Sequence, residues 1–187
     1  LEKFSAFRAA GVNRLSIGVQ SFSPKHLSSL GRVHSSNEAL SAANAAQQAG
    51  YERINLDIMY ALPGQTPANA REDIAQAIEL DPEHLSCYQL TIEPNTLFHK
   101  QPPALPNDEL GWEIQEIVHE SLRSANYQQY EVSAWSKTNA ECRHNLNYWQ
   151  FGDYLGIGAG AHGKISQPDG SIIRYWKQKQ PKRYLKS

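Results

Sequence analysis

Cysteine is scarce in this chain: Cys87 and Cys142 are the only two among 187 residues. Thiols so few and so far apart exclude a disulfide scaffold, a CxxC motif and any larger thiolate cluster, and they fit a reducing compartment. A surplus of either charge is missing as well. Lys and Arg total 18 against 19 Asp and Glu, a formal net charge of -1, so no broad basic field is available for a nucleic-acid backbone. No nucleic-acid partner is expected. No apolar run reaches the roughly 18 residues that a membrane-spanning helix needs, and no basic segment followed by an apolar one opens the chain. The expectation is a soluble protein, with peripheral membrane contact left open. HExxH, GxSxG and GxxxxGKS/T are also absent, which argues against a zinc hydrolase, an α/β-hydrolase and a P-loop enzyme. Cofactor-assisted chemistry and ligand carriage remain.

What is present reads as alternating strands and helices around one sizeable core, the chain being 40% hydrophobic. In VNRLSIGVQSF, Leu15, Ile17 and Val19 share one face, while Ser16, Gly18 and Gln20 share the other. Ser35 and Glu38 have capping-box spacing, opening an Ala-rich helix that stops at Gly50. RINLDIMY is a second strand; after LPGQT, Thr66 caps a helix with Pro67 in its first turn, ending near Leu80. HLSCYQLTI is a third strand, followed by a helix with the stripe Leu110, Ile114, Ile117, Val118 and Leu122. The order βαβαβα predicts parallel strands with right-handed crossovers. Three units are too few for a closed eight-stranded barrel. Either strands are missing upstream, or a small open sheet is completed by YQQYEVSAW and IIRYW.

In a parallel sheet, ligands gather at the carboxyl ends of the strands. Gln20 and Asp57 lie near those ends, and Arg32 follows the first strand, where it could neutralise a ligand carboxylate. A buried structural polar pair is the competing reading of Gln20 and Asp57. Pro63 and Gly64 build a tight passage that is either a purely structural turn or one that sets Gln65 or backbone groups beside the cavity, and Glu93 with Pro94 either shapes its rim or is simply solvent-exposed. ECRHNLNYW concentrates an imidazole (His144), an amide (Asn145) and two flat rings (Tyr148 and Trp149), enough to hold iron and stack on a planar ligand, or equally to form a packed corner. His162, after GIGAG, is a second candidate imidazole. The glycines at 156, 158, 160 and 163 imply tight turns or close backbone contact with a large flat ligand.

Taken in order, GVNRLSIGVQSF, INLDIMYALPGQT, HLSCYQLTIEPNT, ECRHNLNYW and GDYLGIGAGAH resemble the bacterial haem-chaperone branch of the radical S-adenosylmethionine family, which is similar to oxygen-independent coproporphyrinogen III oxidase. The resemblance covers nearly the whole chain. It implies the carboxyl-terminal part of a partial (β/α) barrel over residues 1–126 and a small α+β appendage with a haem-contact segment over 127–187. It also implies S-adenosylmethionine and a [4Fe–4S] cluster in the parent protein, with haem as the bound ligand. Gln20, Arg32 and Asp57 match positions associated with S-adenosylmethionine, and His144, Asn145, Tyr148 and Trp149 match the HNxxYW motif of the haem-chaperone branch, with His144 as the candidate iron ligand. The implied function is cytoplasmic capture of haem and its transfer to respiratory haem proteins. The alternatives are radical oxidation of coproporphyrinogen III and a noncatalytic interaction fragment. One departure from the family is plain: the chain has no CxxxCxxC and so no metal ligands for the cluster. The motif is expected within roughly 100–150 upstream residues, a βα unit taking about 30.

Overall fold

The computed structural model describes residues 1–33 and 35–186, which form two compact units, Leu1–Glu141 and Cys142–Ser187. The first unit runs α1 (Glu2–Ala9), β1 (Arg14–Gln20), α2 (Pro24–Ser29), α3 (Ser36–Gln48), β2 (Arg53–Tyr60), α4 (Pro67–Glu79), β3 (His84–Gln89), α5 (Leu97–Lys100), α6 (Asp108–Ser124), β4 (Gln128–Gln129) and β5 (Ala134–Ser136). The second contains α7 (Arg143–Trp149), β6 (His162–Ser166), β7 (Ile172–Trp176) and α8 (Pro181–Tyr184).

Local chemistry sets the helix starts. The Ser35 hydroxyl accepts from the Glu38 amide while the Glu38 carboxylate accepts from the Ser35 amide, closing the expected capping box on α3. Thr66 and Asn69 do the same for α4, with Pro67 in its first turn. The strands β1, β2 and β3 pair in parallel. Their apolar faces (Val19, Ile54, Leu56, Ile58 and Leu85) meet Ala43 and Ala46 of α3, Ile74 and Ala77 of α4, and Ile114, Val118 and Leu122 of α6 in one buried cluster. Each fully buried aliphatic side chain there stabilises the fold by about 1.5–3 kcal/mol relative to exposure. The opposite face is polar.

YQQYEVSAW joins this sheet, but as an antiparallel hairpin: β5 pairs with β3, β4 with β5, and the strand order is β1-β2-β3-β5-β4. The boundary expected at 126/127 falls inside the first unit. Tyr127 is buried with its hydroxyl donating to the Pro82 carbonyl at 2.5 Å, and the fully buried Trp135 stacks on His119 of α6 with ring centroids 5.0 Å apart. IIRYW does not extend the sheet. It pairs with β6 as a separate antiparallel hairpin in the second unit.

Candidate functional site

Gln20 ends β1 in a left-handed conformation (φ 71°), at a break in the β1–β2 register. That turn lays its side-chain amide back across the strand beside Gly18, where an added Cβ would sit 2.7 Å from the Gln20 nitrogen and displace the amide. The amide is buried, and its oxygen accepts the Tyr88 hydroxyl of β3 at 2.9 Å. Tyr88 in turn feels the charges of both Asp57 and Arg32, with burial the main reason its hydroxyl is pushed up from the ordinary range. Tyr88, which the sequence reading passed over, thus bonds Gln20 and feels the charges of Asp57 and Arg32. The period-two alternation of HLSCYQ places Tyr88 on the polar face with His84 and Ser86, and that signal could have found it.

Asp57 is half-buried on β2. Its carboxylate accepts from the Asn55 amide at 2.7 Å and from the Ser16 hydroxyl at 3.3 and 3.4 Å. Burial pushes its pKa up, and the Asn55, Ser16 and Ser86 contacts pull against that. The second carboxylate oxygen accepts from the Ser16 hydroxyl at 3.3 Å, and with about four lone-pair sites the carboxylate keeps capacity to accept from a ligand hydroxyl or ammonium group. Arg32 is exposed in the loop beyond α2 and lines a depression of about 380 Å³ with Pro24, Leu27 and Gly31. A neighbouring depression of about 390 Å³ takes Gly31 on one side and Thr91, Glu93 and Phe98 on the other, so Glu93 does stand on the rim.

Gln65 does not face a cavity. It is buried, with its oxygen accepting the Leu62 amide at 3.2 Å and its nitrogen donating to Asp73 at 3.4 Å. Asp73, also buried, accepts the Ser21 hydroxyl and the Phe22 amide, each at 2.7 Å. The carboxylate therefore ties the segment after β1 to the amino half of α4, and in doing so fixes the residues next to Gln20.

In the second unit, RHNLNYW forms α7, with Cys142 at its N-cap and none of its residues fully buried. At about 100° per residue, positions 144, 145, 148 and 149 fall within an arc of about 140°. His144, Tyr148 and Trp149 are exposed, Trp149 by 58%. The rings of His144 and Tyr148 meet edge-on at 4.9 Å, and Tyr148 lies 4.7 Å from Tyr154. Asn145 is half-buried. The helix therefore presents an imidazole on an open aromatic face. His162 is exposed at the start of β6, cross-strand from Trp176.

The glycine-rich segment holds the tight turns that were one of its two expected causes, and it also packs on Tyr175, whose hydroxyl accepts the Gly156 amide at 3.1 Å and whose ring would collide with any Cβ at Gly163. Gly158 and Gly160 take positive φ, and the Gly158 amide donates to the Tyr184 hydroxyl at 3.3 Å. A depression of about 890 Å³, lined by Trp176, Lys177, Lys179, Arg183 and Tyr184, lies at the end of this unit. It contains none of the candidate residues.

No group of three or more His, Cys, Asp or Glu side chains among the described residues is arranged to hold a metal ion. Cys87 and Cys142 are both buried, and burial drives the Cys87 thiol far from ionisation. The chain's own residues do not fit a [4Fe–4S] cluster. No helix among the described residues is long and apolar enough to cross a membrane.

Comparison with known proteins supplies the context. A model of the radical S-adenosylmethionine superfamily matches residues 1–77. Heme chaperone HemW of Haemophilus influenzae is 53% identical over 99% of this chain and 48% of its own length. The Escherichia coli protein of the same name is 54% identical over 100% of this chain and 50% of its own. The chain thus spans about half the length of the curated relatives it matches. Among solved structures, coproporphyrinogen III oxidase (HemN) from Escherichia coli, a radical SAM enzyme, superposes with a TM-score of 0.81, at 23% identity, over 99% of this chain and 45% of that one. Its strand and helix arrangement is the one found here, a partial (β/α) barrel. Sequence and fold agree: the chain is similar over nearly all of its length to the heme chaperone HemW relatives, and its first 77 residues match the radical S-adenosylmethionine superfamily.

Proposed function

We propose that the protein to which this chain belongs binds haem and passes it to respiratory haem proteins, acting in the cytoplasm and meeting membranes through its partners. The observation that carries the reading is the exposed His144, Tyr148 and Trp149 face of α7. A porphyrin laid on that face covers two exposed rings, and the neighbouring imidazole can reach an iron at its centre. Asn145 orients a propionate or the adjacent backbone. Haem is the cargo in this reading. S-adenosylmethionine is the resident ligand of the strand edge, where Gln20 and Asp57 accept or donate hydrogen bonds to its polar groups and Arg32 faces its carboxylate. Bound together with a reduced cluster, that cofactor supplies radical chemistry; the two cysteines of this chain, both buried and far apart in sequence, make no cluster site.

The test is haem titration of the full-length protein, followed by absorption spectroscopy, with circular dichroism to monitor folding. His144→Ala is expected to change the haem spectrum and weaken binding, and His162→Ala to do less of both. An unchanged spectrum and affinity in folded His144→Ala rejects the ligand assignment, and a larger loss in His162→Ala moves it to the glycine-rich segment. Catalytic turnover of coproporphyrinogen III by the same protein would overturn the chaperone reading in favour of the oxidase.

A further inference from the structure

Below the strand edge, the polar face of the sheet carries a chain of hydrogen bonds whose direction is set by one group. Asp57, when ionised, can only accept, so the Asn55 amide must turn its nitrogen toward it; that nitrogen lies 2.7 Å from Asp57 and 2.7 Å from the Ser16 hydroxyl. The Asn55 oxygen then faces the other way, toward His84 Nδ1 at 2.6 Å and the Ser86 hydroxyl at 3.0 Å. An oxygen there needs donors, so His84 carries its proton on Nδ1. His84 is buried, and burial together with the charge of Arg14 holds its pKa down at about 4, which leaves the ring neutral and Nε2 an acceptor. The Tyr130 hydroxyl, 2.7 Å from Nε2, is the donor that fits.

We propose that His84 is a positioning residue: held at Nε2 by the Tyr130 hydroxyl and donating from Nδ1 to the Asn55 oxygen, it locks the Asn55 amide in the one orientation that presents a donor to Asp57. The inference rests on the reading of Asp57 as a ligand-contact residue for a hydroxyl- or ammonium-bearing ligand such as the adenosyl amino acid proposed above. Residues distant in sequence are needed because β2–β3 register sets Asn55 opposite His84, and the β4–β5 hairpin brings Tyr130 alongside. Without the lock, the amide can rotate and turn its oxygen toward the carboxylate, which replaces an attraction with a repulsion. The other charged or titratable groups near the pair are Arg14 of β1 and Cys87 and Tyr88 of β3. Burial pushes Cys87 and Tyr88 up, away from the range in which Asp57 titrates.

The experiment reads Asp57 and His84 directly in the full-length protein, by side-chain 13C and 15N NMR across a pH series. His84 is expected as the neutral Nδ1–H tautomer from pH 5.5 to 8. Tyr130→Phe frees the tautomer and His84→Leu removes the donor, and each is expected to raise the proton affinity of Asp57 by about tenfold, one pKa unit. His84→Asn keeps an N–H near the Nδ1 position and is expected to restore most of the wild-type titration, which a general loss of packing would not do. If His84→Leu fails to fold, Tyr130→Phe alone decides, since it deletes one oxygen from a half-buried ring. The proposal is overturned by an Nε2–H tautomer in the wild type, or by an Asp57 titration unchanged in Tyr130→Phe. Affinity for S-adenosylhomocysteine separates the two readings: it is expected to fall about three- to tenfold in Tyr130→Phe, on the scale of one hydrogen bond. If Asp57→Asn leaves that affinity unchanged, the ligand reading fails while the titrations still judge the relay.

Discussion

Replacing Asp73 is the sharpest probe of how the first unit holds its ligand edge. The carboxylate is 3% exposed and receives two 2.7 Å hydrogen bonds, from the Ser21 hydroxyl and the Phe22 amide, plus a longer one from Gln65. Hydrogen bonds to a charged group contribute about 1.5–3 kcal/mol each, and a buried donor left unpaired costs about 1–3 kcal/mol. Burial also pushes the Asp73 pKa up, so the charge itself carries a desolvation cost that its removal relieves. The two short bonds outweigh that relief, and Asp73→Ala is expected to destabilise the fold by about 2–4 kcal/mol. Asp73→Asn keeps an oxygen for the Phe22 amide and buries no charge, and the Ser21 hydroxyl can rotate to accept from the new nitrogen. Its cost is expected at about 1 kcal/mol. Urea unfolding followed by circular dichroism measures both, with unchanged m-values showing that the same surface is exposed in each. A loss below about 0.5 kcal/mol in Asp73→Ala, the level of a neutral surface change, refutes the tie. So does a larger loss in Asp73→Asn than in Asp73→Ala.

Acid should weaken the fold through His84. Its folded pKa of about 4 lies below the ordinary histidine value of 6.5, so between those values the unfolded chain takes the proton and the folded one does not. The stability this group leaves intact at neutral pH is lost progressively as pH falls through that window, by at most about 3 kcal/mol. His26 and His119, also pushed down by burial, act in the same direction, and the raised Asp57 and Asp73 oppose it. The difference between wild type and His84→Asn isolates the one ring, and parallel stability curves from pH 7 to 4.5 would count against its burial in the neutral form. In the second unit, Gly163→Ala drives a methyl into the Tyr175 ring, whereas Gly170→Ala meets nothing and strains only a turn at φ 84°. Amide exchange of β6 and β7 is expected to accelerate far more in Gly163→Ala; equal effects refute the packing role.

Much of the scaffold was legible because its signals are local. The Ser35–Glu38 and Thr66–Pro67 helix starts lie within one turn of the structure they specify, and the alternation around Leu15, Ile17 and Val19 separates the helix-covered face from the polar one. Gln20 and Asp57 could be placed by that alternation alone. Their partners could not, since Tyr88 meets Gln20 across 68 positions and His84 meets Tyr130 across 46. Such contacts depend on strand register and on a hairpin whose antiparallel direction the βαβ pattern did not announce. Gln65 misled for a related reason: a turn motif specifies backbone, and it took the buried Asp73 to draw the amide inward. The glycines at 156 and 163 correctly signalled a close approach, but what approaches belongs to the chain itself: the His162 backbone at Gly156 and the Tyr175 ring at Gly163.

The second unit has an unusual interior. The apolar clusters of the described residues lie wholly in the first unit, while in the second a buried Lys164 ammonium reaches the Phe151 carbonyl at 2.8 Å, Asp153 at 2.9 Å and Ser166 at 3.3 Å. A scaffold knit by polar contacts buries little oil, so its unfolding brings only a small heat-capacity change and its stability varies little with cooling. It also belongs at the low end of the spectrum of local opening energies, where segments that capture ligands are found. An apolar plate settling on α7 would supply the hydrophobic contact this unit does not provide for itself, so occupancy and rigidity should rise together.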